Sequence, residues 1–287
     1  MGHTQGESRT VEVGDGRELH YAELPGSGPV VVFESGLAAS RSFWGLVQPR
    51  VGGFARAVVY DRAGLGRSTP AADGSFDRLV RDLGTLLNHL GDGPFVLVAH
   101  SGGGPVVRAA AARDPARIAG LVLVDTTDEA CTPMFDRSFR RLERVAHVAG
   151  VGLARIGLLP VLMRAQLATL PADCAADLRA EGFTARAMRT RGVELAALVD
   201  AMNAFRVASP ELPPDLPVTS ISGGRADTGM SAALRRATTE AHAYRAGRST
   251  RGRHVVARKS GHMVVLTEPD LVADEVRRLV GGTGAGQ

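Results

Sequence analysis

The chain has 287 residues but only one lysine, Lys259, and two cysteines, Cys131 and Cys174. Neither cysteine sits in a CxxC or Cys/His spacing, so the sequence implies no metal, no cofactor and no disulfide scaffold, and free thiols are expected. No stretch reaches the roughly 18 consecutive apolar residues of a spanning helix, so no membrane partner is expected. The opening "MGHTQGESRT" lacks the apolar core of a signal peptide, which makes cytoplasmic the expected location. The net charge is +4, carried almost wholly by arginine. The arginines are scattered among acids, as in "RSFRRLERVAH", without a basic tract or reading motif, so nucleic acid is not expected as a partner. There is no internal repeat and no low-complexity tract, and the oligomeric state is left open.

Hydrophobic residues make up 44% and charged residues 22%, a composition for one large domain or a domain with an insertion. "VEVGDGRELHYAEL" reads as two strands joined at Gly14-Asp15-Gly16. "PVVVFE", "ARAVVY", "FVLVA" and "IAGLVLVD" are short continuous apolar runs, as in strands buried on both faces. "FDRLVRDLGTLLNHL", ending at Gly91, and "GPVVRAAAARD" have helical spacing. Later "PVTSIS", "SAALRRATTEAHAYRAG", "HVVA" and "EPDLVADEVRRLV" continue the alternation of strand and helix. The pattern predicts an α/β fold with a mostly parallel sheet and helices on both faces. Residues 127–212 break it: they contain helical patterns and no strand, and the prolines of "SPELPPDLP" mark the return to the sheet. The expected organisation is therefore a core of residues 1–126 and 213–287 with a helical cap or lid at 127–212. The tail "GGTGAGQ" is expected to be disordered.

"FVLVAHSGGG", residues 95–104, sets Ser101 between an apolar strand and three glycines. A serine hydroxyl is a poor nucleophile unless a base takes its proton and donors stabilise the resulting oxyanion. A sharp strand-to-helix turn serves both needs. It exposes the serine, aims the next N–H, that of Gly102, at the reacting carbonyl, and requires small neighbours such as Ala99 and Gly103.

Ala99-His100-Ser101-Gly102-Gly103 resembles the G-x-S-x-G nucleophile elbow of the α/β-hydrolase superfamily, with alanine in place of the first glycine. The resemblance spans nearly all of residues 9–281. It implies an eight-stranded sheet, a catalytic order of serine, acid and histidine, and no metal or cofactor. "SGLAAS" after the early strand stands where relatives carry the second oxyanion N–H, which maps to Leu37; Ser35 replaces a histidine usual there. "YDRAGLGRS" resembles a D-x-x-G-x-G-x-S turn whose role is structural, shaped by Gly64 and Gly66. "SGHMVVLTEP" resembles the family's setting for the catalytic base and names His262. His89, His147 and His242 lie in helical segments, and His100 on a strand points away from its neighbour's side; all four read as packing or surface residues. Gly224 and Asp227 in "ISGGRADTGM" match the family's G-x-x-D, which makes Asp227 the expected acid. Asp125, at the end of "LVLVD", is the alternative.

The expected activity is that of a carboxylesterase-like serine hydrolase, cleaving an ester or lactone of a small, largely apolar molecule through an acyl-enzyme. Met134, Met202 and Met263 are expected to border the substrate, since methionine adapts to irregular apolar shapes. The same fold also hosts C–C hydrolases, lyases, cyclases and small-molecule receptors, which are the alternative readings.

Overall fold

The computed structural model describes residues 2–227 and 229–283. Eight strands form one sheet: β1 (Glu7–Glu12), β2 (Glu18–Leu24), β3 (Val30–Glu34), β4 (Arg56–Tyr60), β5 (Phe95–His100), β6 (Ile118–Val124), β7 (Val218–Gly223) and β8 (Gly252–Ala257). Their spatial order is β1-β2-β4-β3-β5-β6-β7-β8. The β1–β2 and β2–β4 pairings are antiparallel, and those from β4 through β3, β5, β6 and β7 to β8 are parallel. The first two strands meet at the expected hairpin, where Asp15 takes a positive φ of 56° between Gly14 and Gly16.

Every residue of β5 is buried, as expected of a strand covered on both faces. Successive residues then feed two separate cores. Val31, Phe33, Val96, Val98, Val122 and Val124 pack with Trp44, Val272 and Val276. Val32, Leu97, Ala99, Leu121 and Leu123 pack with Leu79, Leu83, Val106 and Val107. This two-residue alternation is the pleat of a sheet between two helical layers.

One layer holds α2 (Phe76–Leu90) and α3 (Gly103–Arg113); the other holds α1 (Gln48–Gly52), α10 (Val264–Thr267) and α11 (Pro269–Thr283). Helix α2 begins and ends where its sequence dictates. The Ser75 hydroxyl caps it by accepting from the Arg78 N–H at 3.2 Å, and Gly91 ends it with a φ of 125°.

Between β6 and β7 the chain leaves the sheet for a helical segment, with no strand among the described residues. It contains α4 (Arg137–Arg155), α5 (Leu159–Leu162), α6 (Arg164–Leu167), α7 (Ala172–Asp177) and α8 (Ala185–Val207). Helices α4 and α8 pack on one another, so closely that a side chain on Gly192 would meet the His147 imidazole. Helix α9 (Ala232–Gly247) packs on β7 and β8. Two details depart from expectation. The short α1 and the helical turn Arg41–Trp44 lie in a stretch too brief to show periodicity. Of the tail expected to be disordered, Gly281 to Thr283 continue α11, because this helix is anchored by Val272, Val276 and Leu279; residues 284–287 lie outside the described residues. No helix among the described residues is long and apolar enough to cross a membrane.

Candidate active site

Ser101 stands at the turn from β5 into α3 with a φ of 52°, in the left-handed region that a β-carbon disfavours. The turn is tied down on both sides. The Ser101 N–H donates to the Val124 carbonyl at 3.2 Å, and the Ser101 carbonyl accepts from the Thr127 N–H at 2.9 Å. A side chain on Gly103 would begin 2.7 Å from the Ser35 carbonyl oxygen and 2.7 Å from Glu34 Cγ, so the run of glycines lets α3 start against the loop after β3. Ala99 is fully buried in the sheet, and its methyl group fits where the family pattern has glycine.

His262 follows β8 in the loop leading to α10. Its Nε2 lies 3.0 Å from Ser101 Oγ and its Nδ1 lies 2.8 Å from Asp125 Oδ2. The expectation for the acid is therefore corrected: Asp125, the alternative, faces the imidazole, and Asp227 does not. Asp227 instead accepts from the His262 backbone N–H through Oδ2 at 2.7 Å. It is packed so tightly on the chain there that a side chain at Gly261 would begin 2.0 Å from its carboxylate. Strand order supplies the reason. Asp125 leaves β6, which borders the serine-bearing β5, whereas Asp227 leaves β7, one strand further away.

Asp125 is itself held in an uncommon backbone conformation, φ 45°. Its Oδ1 accepts from the Gly223 N–H at 2.9 Å and from Arg235 Nη1 at 2.5 Å, and Oδ2 accepts from Arg235 Nη2 at 3.1 Å. Burial alone would raise the pKa of this carboxyl. The hydrogen bond and charge of His262, with Arg235, outweigh it and hold Asp125 ionised well below the usual carboxylate range. Sequence reasoning did not single out Arg235; its position in α9 gives no local signal, because its role exists only once α9 lies beside the end of β6.

The second missed residue is Arg62, within "YDRAGLGRS". Its Nη1 donates to the Ser35 carbonyl at 2.6 Å and its Nη2 to the Gly36 carbonyl at 2.7 Å, fixing the loop that carries Leu37. The same guanidinium meets Glu34, and Glu194 of α8 at 2.8 and 2.9 Å, in a fully buried network completed by the Tyr60 hydroxyl donating to Glu34. The turn thus has a structural role beyond its glycines: it joins the loop beside Ser101 to the helical segment. Among the described residues, the Leu37 and Gly102 N–H groups have no protein acceptor, and both residues lie beside Ser101.

His89 and His242 have partners of their own, whereas the buried Nδ1 of His147 has none among the described residues. The Tyr21 hydroxyl lies 3.0 Å from His89 Nε2, and His242 lies between Ser222 Oγ and the Thr126 carbonyl. His100 is more than a packing residue. Its Nε2–H donates to the His262 carbonyl at 3.0 Å, and the two rings lie 4.8 Å apart. Burial, reinforced by the neighbouring His262, pushes His100 down to about 4, so it stays neutral beside the reacting pair. This has a consequence for stability. The unfolded chain takes up a proton near pH 6.5, whereas folded His100 resists it until about pH 4. Stability from this group is therefore full above about pH 6.5 and falls through that window on acidification, by a few kcal/mol. His100→Gln keeps an N–H donor for the His262 carbonyl and removes the titration. Urea denaturation at about pH 7 and about pH 4.5 should show a smaller loss for the variant than for the wild type; equal losses would show that other groups set the acid limit.

Both cysteines are free and buried. Burial pushes the Cys174 thiol up to about 12 and raises that of Cys131, which disfavours a thiolate at either position.

The Ser101–His262 pair opens into a cavity of about 390 Å³. Met134, Met202 and Met263 all line it, as do Met163 and Met230, and α8 contributes Leu195 and Leu198. A larger groove of about 1160 Å³, between residues 205–213 and α9, contains none of the residues around Ser101.

A nucleophile elbow, a facing histidine held by a carboxylate, and a mixed sheet between two helical layers define an α/β-hydrolase-fold protein. Residues 29–145 match the family model of the α/β hydrolase fold. An AB hydrolase superfamily protein of Gibberella zeae is 26% identical over 88% of this chain and 86% of its own length. Lipase LipV of Mycobacterium tuberculosis is 48% identical over 65 residues, 23% of this chain and 25% of the lipase. A relative from Variovorax paradoxus is 37% identical, and the alignment spans 42% of its length. Among solved structures, the Cif epoxide hydrolase from Acinetobacter nosocomialis superposes with a TM-score of 0.76 at 17% identity, over 98% of this chain and 90% of that one. The chain has the α/β-hydrolase fold, and residues 29–145 carry the sequence likeness to that family.

Proposed function

We propose that the protein is a serine hydrolase that cleaves a carboxylic ester or lactone of a small, largely apolar molecule through an acyl-enzyme. The observation that carries this reading is the continuous chain from Ser101 Oγ to His262 Nε2, and from His262 Nδ1 to the ionised Asp125, at the wall of an apolar cavity. Asp125 accepts from Nδ1–H and so leaves the Nε2 lone pair facing the serine. His262 takes the hydroxyl proton as Oγ attacks the carbonyl carbon. The Gly102 and Leu37 N–H groups receive the oxyanion, and Asp125 stabilises the imidazolium. Collapse of the tetrahedral intermediate sends that proton to the leaving alkoxide. Water then enters, gives its proton to His262, and releases the acid as Ser101 recovers its proton. No metal or cofactor takes part in this scheme.

Residues 127–212 act in this reading as a lid that excludes water and selects the acyl chain. Met202→Phe should shift the optimum across p-nitrophenyl esters towards shorter acyl chains while changing the melting temperature little. An equal loss on every ester, in step with a lower melting temperature, would make Met202 a core residue only.

The direct test of the function is labelling with a fluorophosphonate probe together with an ester panel. Labelling that maps to Ser101, with turnover of at least one ester, is the expected result. Absence of both would support a binding or non-hydrolytic role on the same fold.

A further inference from the structure

The cavity is apolar along most of α8 but not at its far end. Arg140, Glu143 and Gln166, with Arg191 of α8, line it there. Arg140 and Glu143 approach to 2.6 Å, an ion pair whose geometry falls outside hydrogen-bond alignment, and they cancel one another's charge. Among the described residues the Arg191 side chain has no hydrogen-bond partner and no carboxylate within 4 Å, the charge of Glu143 reaching it only from further away, and its Nη1 is shielded from solvent. The Gln166 side chain likewise has none, and its Oε1 is buried.

This sets Arg191 apart in the molecule. The fully buried arginines Arg41, Arg62, Arg78, Arg108, Arg235 and Arg245 each face at least one carboxylate within 4 Å. An unpaired guanidinium in a half-buried position is costly, and an anion that enters beside it recovers a charge-assisted, two-pronged hydrogen bond. The neighbouring His147 does not compete for the anion as a second cation: burial, and then the charge of Arg191, hold it below its ordinary value.

We propose that Arg191 is an anion subsite of the catalytic cavity, and that the preferred substrates are esters carrying a carboxylate at the end remote from the scissile bond. Helix geometry gives the spacing. Leu198 Cδ2 lies 3.2 Å from the point where a side chain on Gly102 would begin, next to Ser101. Arg191 is seven residues earlier on the same helix, which at ~1.5 Å per residue is about 10 Å along its axis. An aliphatic chain between ester and carboxylate would lie along Leu195, Leu198 and Met202, with the carboxylate on Arg191 and the Gln166 amide beside it. The substrate class rests on the serine-hydrolase reading; the anion site itself does not.

The test therefore separates the two. In a Ser101→Ala background, which cannot turn over, titration calorimetry compares monomethyl suberate with dimethyl suberate. These differ only in whether the remote end is a carboxylate or a methyl ester. The monoester is expected to bind at least tenfold more tightly. Adding Arg191→Met should bring the two ligands to within about threefold of each other, with an unchanged melting temperature showing that the cavity is intact; Arg191→Lys should restore part of the preference. Equal affinities in the Ser101→Ala protein, a preference that survives Arg191→Met, or binding of neither ligand would overturn the anion subsite. Hydrolysis of monomethyl suberate by the wild-type protein is measured separately. A retained calorimetric preference without hydrolysis would overturn the assignment of this substrate class and leave the subsite standing, while the serine-hydrolase reading itself stands or falls on fluorophosphonate labelling and the ester panel.

Discussion

Ser101→Ala is expected to reduce ester turnover by about five to six orders of magnitude and to abolish covalent labelling, while the protein still folds. The size of the effect follows from how the site divides the work. Without Oγ there is no acyl-enzyme, and His262 with the free Leu37 and Gly102 N–H groups can offer only a positioned base and an oxyanion site to a passing water. The fold should tolerate the change, because among the described residues Ser101 Oγ has only His262 as a partner and the turn is held by backbone contacts to Val124 and Thr127. Alanine also keeps the β-carbon, so the strain at φ 52° is neither relieved nor increased. Steady-state kinetics with a circular dichroism spectrum decide the matter. A folded variant with near-normal turnover would remove Ser101 from the chemistry.

Much of the fold was legible because it is written in local periodicity. The runs at β3 to β6 are largely apolar on consecutive residues, as a doubly covered strand needs, and the sheet puts alternate residues into its two cores. Helix α2 carries its own start and stop in Ser75 and Gly91. What was not legible is what arises only after strands and helices have been brought together. Arg62 reads as one residue of a glycine-shaped turn until its guanidinium is seen bonded to the Ser35 and Gly36 carbonyls and to Glu194. Arg235 and Arg191 look like ordinary helix arginines in a chain rich in them.

The site divides in the same way. Ser101 and His262 each stand in a distinctive local setting, a strand–turn–helix with glycines and a Ser-Gly-His loop, and the structure brings them within 3.0 Å. The acid carries no such setting. Two aspartates end neighbouring strands, and the match of Gly224 and Asp227 to a family pattern favoured the later one. The deciding facts are non-local: β6 lies next to β5, and Arg235 holds the Asp125 carboxylate in place. Asp227 has a different partner in the same loop, the His262 N–H, so its nearness to the histidine is real while its contact is with the backbone.

Asp125→Asn is expected to lower kcat by about four orders of magnitude, and Asp227→Asn by about tenfold or less. In the first variant the amide oxygen keeps the Gly223 N–H and Arg235 Nη1 donors, and its NH2 group then faces Nδ1 and, donor to donor, Arg235 Nη2. Nδ1 must become an acceptor, the ring proton moves to Nε2, and the base that faces Ser101 is lost. The imidazolium also loses the carboxylate that stabilises it. Arg235 loses its buried counter-charge, so a stability cost of about 3–5 kcal/mol is expected as well, and kinetics must be taken below the lowered melting temperature. In the second variant the asparagine oxygen still accepts from the His262 N–H, so the loop is kept and only a charge near the imidazole is removed. That loss is worth at most about 1.4 kcal/mol on the barrier. The split between the variants is the informative quantity, since a general loosening of the loop would lower both to a similar degree. A crippled Asp227→Asn beside an active Asp125→Asn would show that the loop moves during turnover and that the acid is Asp227.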